Sequence, residues 1–210
     1  MKAIRYILQI LILVCCCLLT GCHHQKNDLY KRFSITYYKH GQLWSGILKE
    51  PTIVQSYPCI GRVRFDSAGM INHFRLSQDY EIRGHNIPEN SIVEIYGRIM
   101  FINLFRPTEI QGYLIPGGEY INIPFRLDQN GNLIAFRPDQ DIVIGGIPCM
   151  RLREVQLYPD GKLWVCFLAG EIEREGTIYP QGTMMLFDKK GTAQEYSYEL
   201  YDEIRKDLGL

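Results

Sequence analysis

Two apolar residues spaced by two, a turn ending in glycine, then renewed alternation: this pattern recurs along most of the chain. Aligned on Gly41, Gly69, Gly97, Gly131, Gly161 and Gly191, the intervals are 28, 28, 34, 30 and 30 residues. Ile35 and Tyr37, Val63 and Phe65, Phe125 and Leu127, Val155 and Leu157, and Met185 and Phe187 stand before these glycines. Trp44 and Leu48, Phe74 and Leu76, Ile134 and Phe136, and Trp164 and Cys166 follow them. Period-two alternation on both sides of a turn predicts β-hairpins with one buried face. The turns agree, since Asp66–Gly69, Asp128–Gly131 and Asp188–Gly191 share an Asp-x-x-Gly form and Pro159-Asp160-Gly161 is a close variant. Asp or Pro opens a type I turn, and glycine accepts the positive φ at its end. Tyr96-Gly97 is shorter and predicts a tighter hairpin.

A second signature lies between the hairpins. Gly84, Gly112, Gly146 and Gly176 each stand fifteen residues after a repeat glycine, and Pro58, Pro88, Pro116, Pro148 and Pro180 mark the connectors. Each repeat therefore reads as a hairpin, a short third strand or bend, and a Pro-marked connector. Such self-similarity is the strongest single guide to fold. The expectation is an all-β domain over residues 33–198. It is an antiparallel meander of about five or six β-hairpin repeats of period about 30, with curling into a barrel as a variant. In the last stretch, 199–210, Leu200, Ile204 and Leu208 recur every four residues among charges, which predicts a short C-terminal helix or a solvated tail.

The first 22 residues follow a different rule. Lys2 and Arg5 precede an apolar run from Ile7 to Leu19 broken only by Gln9, the layout of a secretory signal and too short for a spanning helix. The run ends in Leu19-Thr20-Gly21-Cys22. That tetrad resembles the lipobox of bacterial lipoproteins, which implies a signal peptide at 1–21, cleavage before Cys22 and acylation of its thiol. Two or three acyl chains hold a protein almost permanently on a bilayer, at about 0.8 kcal/mol per buried CH2. A plain secretory signal or an N-terminal membrane helix are the alternatives. In Gram-negative relatives of this kind an Asp after the cysteine retains the protein in the inner membrane. His23 stands there instead, so the resemblance favours the outer membrane. Residues 22–32 then form a lipidated cysteine and a polar tether.

The hairpin array resembles bacterial repeat proteins of the MORN-like kind, which also string glycine turns along a meander. Here the period is longer and the Tyr-x-Gly opening is missing, so the resemblance bears on architecture rather than activity.

Composition narrows the function classes. Lys plus Arg equals Asp plus Glu at 23 each, so no basic surplus across the chain argues for nucleic acid or for an electrostatic membrane footprint. Of seven cysteines, Cys15, Cys16 and Cys17 leave with the signal and Cys22 takes lipid. Cys59, Cys149 and Cys166 remain, which allows at most one internal disulfide. Cys59 and Cys149 would meet only if the array curled; otherwise they are small buried apolar residues.

No Gly-x-Ser-x-Gly, phosphate loop, His-Glu-x-x-His or Cys-x-x-Cys motif is present. No cofactor, metal ligand or catalytic residue is therefore assigned. His23-His24 lack the further ligands of a specific metal site, and His40, His73 and His85 fall at different repeat phases. Asp79, Asp141 and Glu171 share one phase; they could line up oxygen ligands for a cation, but caps of the adjoining bends are the simpler reading. Trp44 and Trp164 share a phase that places both in the core, with sugar stacking as the alternative. The functional expectation is a membrane-anchored, non-enzymatic envelope lipoprotein that binds or scaffolds a protein or glycan partner. The alternatives are an envelope enzyme working through converging carboxylates and a lipid-anchored inhibitor or immunity-type protein.

Overall fold

A computed structural model describes residues 29–32, 34–118, 123–174 and 176–196. The lipobox and the C-terminal segment 199–210 lie outside the described residues. Every regular element among those described is a strand. Chain contacts divide them into two units, with the boundary between Ser77 and Gln78.

Unit 1 contains β1 (Thr36–Tyr37), β2 (Leu43–Ile47), β3 (Thr52–Val54), β4 (Tyr57–Phe65) and β5 (Ile71–Leu76). Its sheet runs β1-β2-β4-β5, and the short β3 folds back on the start of β4. Tyr30 pairs with Leu48 and lies over Gly46, where a Cβ would occupy the place of its ring. Cys59, Val63, Phe74 and Leu76 are fully buried on the inner face.

Unit 2 contains β6 (Tyr80–Ile82), β7 (His85–Ile87), β8 (Ile92–Tyr96), β9 (Ile99–Asn103), β10 (Thr108–Ile110), β11 (Tyr113–Ile115), β12 (Phe125–Leu127), β13 (Leu133–Phe136), β14 (Ile142–Ile144), β15 (Ile147–Cys149), β16 (Val155–Leu157), β17 (Leu163–Phe167), β18 (Ile172–Arg174), β19 (Thr177–Tyr179), β20 (Met184–Phe187) and β21 (Ala193–Glu195). Its antiparallel sheet runs β8-β9-β12-β13-β16-β17-β20-β21, in chain order within the sheet. Within neither unit does the path of strands return to its own first strand, so neither closes into a barrel.

The main hairpins turn at the glycines that set the repeat. Gly69 N–H donates to the Asp66 carbonyl at 3.0 Å, and Gly131, Gly161 and Gly191 repeat that bond to Asp128, Tyr158 and Asp188. The Asp carboxylates reinforce it. Asp128 Oδ1 accepts from the Asn130 and Asn132 amides, and Asp188 Oδ1 does the same for Lys190 and Thr192.

The stretch between main hairpins is more ordered than a third strand or bend. It is a second, smaller hairpin: β3 with the start of β4, β6–β7, β10–β11, β14–β15 and β18–β19. Three-residue arms are too short to show alternation in sequence, which is why only the tip glycine and the proline are legible. Four of the tips take positive φ at both central positions, as at Arg83-Gly84 and Gln111-Gly112, a geometry that suits tight hairpins. In three of the satellites the arms turn isoleucines inward, so Ile82, Ile87, Ile110, Ile115, Ile144 and Ile147 are buried, whereas the β18–β19 arms bury none. A two-strand unit cannot bury a face alone, so the satellites that bury isoleucines gain stability from the sheet they cover.

Candidate interaction surface

Cys22 and the residues Leu19, Thr20 and Gly21 lie outside the described residues. Of the three acidic residues at one repeat phase, Asp79 and Asp141 act as clamps across a satellite hairpin, and no such bond is made by Glu171 among the described residues. Asp79 Oδ1 accepts the Glu89 amide at 2.8 Å, ten residues on, and Asp141 Oδ1 accepts the Arg151 amide at 2.7 Å. Asp79 also meets Arg106 at 2.7 Å. The Glu89 N–H, and after it the Arg106 guanidinium, hold the Asp79 carboxyl below the usual carboxylate range. Among the described residues no group of three or more His, Cys, Asp or Glu is placed to hold a metal.

The three domain cysteines are free and buried. Cys59 belongs to unit 1, where burial pushes its thiol up to about 12. Cys149 sits beside Cys166 instead, and the neighbouring thiol, together with burial, raises Cys166. Cys59 and Cys166 are therefore poor nucleophiles. His85 Nε2 lies 2.8 Å from the Gly131 carbonyl oxygen, a structural contact. The two tryptophans part company: Trp164 is 4 % exposed, whereas Trp44 is 44 % exposed. The core placement expected for Trp44 is therefore corrected. Its shared phase gives it an equivalent tyrosine, Tyr38 where Trp164 has Tyr158, yet Trp164 also has Val165, Leu186, Met184 and Tyr196 around it.

Residues at the satellite tips tie the two hairpin types together. Gln55 Nε2 donates to the Gly69 carbonyl at 2.7 Å while its Oε1 accepts the Ile71 amide at 2.9 Å. Gln111 does the same to Gly131 and Leu133, both at 3.1 Å. Two residues after each glutamine, Tyr57 stacks on Phe74 and Tyr113 on Phe136, at 4.5 and 4.8 Å between centroids. Arg83 at the equivalent tip reaches the carbonyls of Arg98, Leu127 and Asp128. The Gln-x-Tyr recurrence was the signal for this device.

Two surfaces remain open. The satellites expose an acidic or aliphatic cross-strand pair: Glu109 opposite Leu114, Val143 opposite Pro148, Glu173 opposite Ile178. Leu114, Val143 and Ile178 are 50, 69 and 60 % exposed. The other surface is the outer face of the unit 1 sheet. Arg62 and Arg64 alternate with buried Val63 and Phe65 on β4; Arg64 pairs with His73 on β5, and Arg75 lies two residues further along. Arg62, Arg64 and Arg75 are exposed and have no ion pair among the described residues. No family model, no curated protein and no solved structure matches this chain.

Proposed function

We propose that this chain is a lipid-anchored envelope protein, held on the outer membrane in preference to the inner, whose hairpin-repeat domain binds or scaffolds a partner without catalysis. The observation that carries this reading is Leu19-Thr20-Gly21-Cys22 at the end of an apolar run. Two features of the fold support the binding role. Asp79 and Asp141 are occupied one by one in clamping hairpins rather than facing each other across a cleft. The satellites also carry exposed aliphatic side chains at regular positions, the kind of surface a protein partner covers.

The test is Cys22→Ala in the full chain. Loss of metabolic palmitate labelling and of the processed form, together with release from the detergent phase, is the expected outcome. Continued acylation and unchanged partition would defeat the anchor reading.

A further inference from the structure

The neutral total conceals two opposite halves. Between Leu29 and Ser77 seven Lys or Arg stand against only Glu50 and Asp66, a net charge of +5; between Gln78 and Tyr196 eleven stand against sixteen acids, a net of −5. The basic half is the one that follows the tether. From Cys22 to Tyr30, the first residue paired to the sheet, there are eight residues, a reach of about 28 Å at full extension. A bilayer that held Cys22 would thus always lie within reach of unit 1.

We propose that the outer face of the unit 1 sheet, centred on Arg62, Arg64 and Arg75, docks on anionic phospholipid headgroups of the leaflet that holds the Cys22 lipid. The inference rests on the anchor reading for its leaflet, and on the fold for its surface. Alternation on β4 and β5 forces the arginines onto one side, because Val63, Phe65, Phe74 and Leu76 claim the other. Like charges gathered on one face and left without acidic partners repel one another, and phosphates relieve that repulsion. Arginine suits the task, since its planar guanidinium binds phosphate oxygens in pairs. Exposed charge of this kind acts over about 8 Å at physiological salt, so it needs the tether to keep it near the surface. Each basic residue near an anionic membrane raises partition about fivefold.

The experiment uses the mature chain from residue 22, with Cys22→Ser so that no lipid contributes, and sedimentation with vesicles. Vesicles of phosphatidylcholine with about one quarter phosphatidylglycerol should capture it, and pure phosphatidylcholine should not. Arg62→Ser/Arg64→Ser/Arg75→Ser should lower capture more than tenfold at an unchanged melting midpoint, and added salt should abolish it. Arg137→Ser/Arg151→Ser in unit 2 should leave capture intact. Indifference to phosphatidylglycerol, equal capture of the triple variant, or capture of an oligonucleotide in place of vesicles overturns the proposal. Failure of the anchor reading is seen separately, as an unacylated Cys22 in the full chain.

Discussion

Units 1 and 2 build the same corner from the same pair of residues and finish it differently. Tyr38 Oη donates to the Phe65 carbonyl and Tyr158 Oη to the Phe187 carbonyl, both at 2.8 Å, each reaching the next main hairpin. Each tyrosine also meets a tryptophan six residues on, with centroids 6.4 and 5.9 Å apart. In unit 2 that tryptophan is covered; in unit 1 it is open. The glutamine clamps at Gln55 and Gln111 are likewise shared, while net charge is reversed between the units. The difference separates two layers of design. Backbone devices are copied with the repeat because each new hairpin needs them, whereas the exterior is free to specialise once the backbone is held.

The sharpest way to break that comparison is at the turn glycine. Gly69 and Gly131 close the same Asp-x-x-Gly turn with φ of +80° and +87°. A Cβ at Gly69 meets nothing, whereas at Gly131 it would land on the Arg83 carbonyl oxygen. Gly69→Ala should therefore cost only the left-handed backbone term, roughly 1–2 kcal/mol. Gly131→Ala adds a backbone displacement in a packed site, for roughly 3 kcal/mol or more in all. Denaturant melts of the two variants decide it. Equal costs would mean that the satellite does not press on the turn in unit 2.

Next in size is the clamp. Gln55→Ala and Gln111→Ala each remove two hydrogen bonds and should cost about 1 kcal/mol. The local reading is amide exchange, because the Ile71 and Leu133 N–H groups donate to the glutamine side chains. Protection of both amides should fall about fivefold. A fall in one unit only would show that the shared geometry is not a shared device.

These contrasts also explain what could be read beforehand. The main hairpins were legible because alternation runs on both sides of the turn and Asp66, Asp128 and Asp188 announce their turns. The satellites were not, since Gln55-Ser56 takes the same tip as Gln111-Gly112 with no glycine at all. Trp44 was misplaced because phase along a strand says which face a side chain takes, and not what covers that face. The basic sheet face was hidden by summing charge over the whole chain. A sum by repeat would have found it, and alternation would then have put Arg62 and Arg64 on one side.

The smallest effect concerns acid, and it compares a main turn with a satellite inside unit 2. The Thr192 amide, and after it that of Lys190, hold the Asp188 carboxyl below its ordinary value of 3.8, as the Glu89 amide does for Asp79. A carboxyl with a lowered folded value favours the fold when ionised. Its contribution is complete above the unfolded value and disappears as pH falls below 3.8 through the folded one. Asp188→Asn and Asp79→Asn should lower the melting midpoint at neutral pH and match the parent in strong acid. Both groups lie at the surface, so each shift should be small and additive. If Asp79→Asn keeps its deficit in strong acid while Asp188→Asn loses it, the satellite clamp acts through the shape of the side chain and the main turn through its charge.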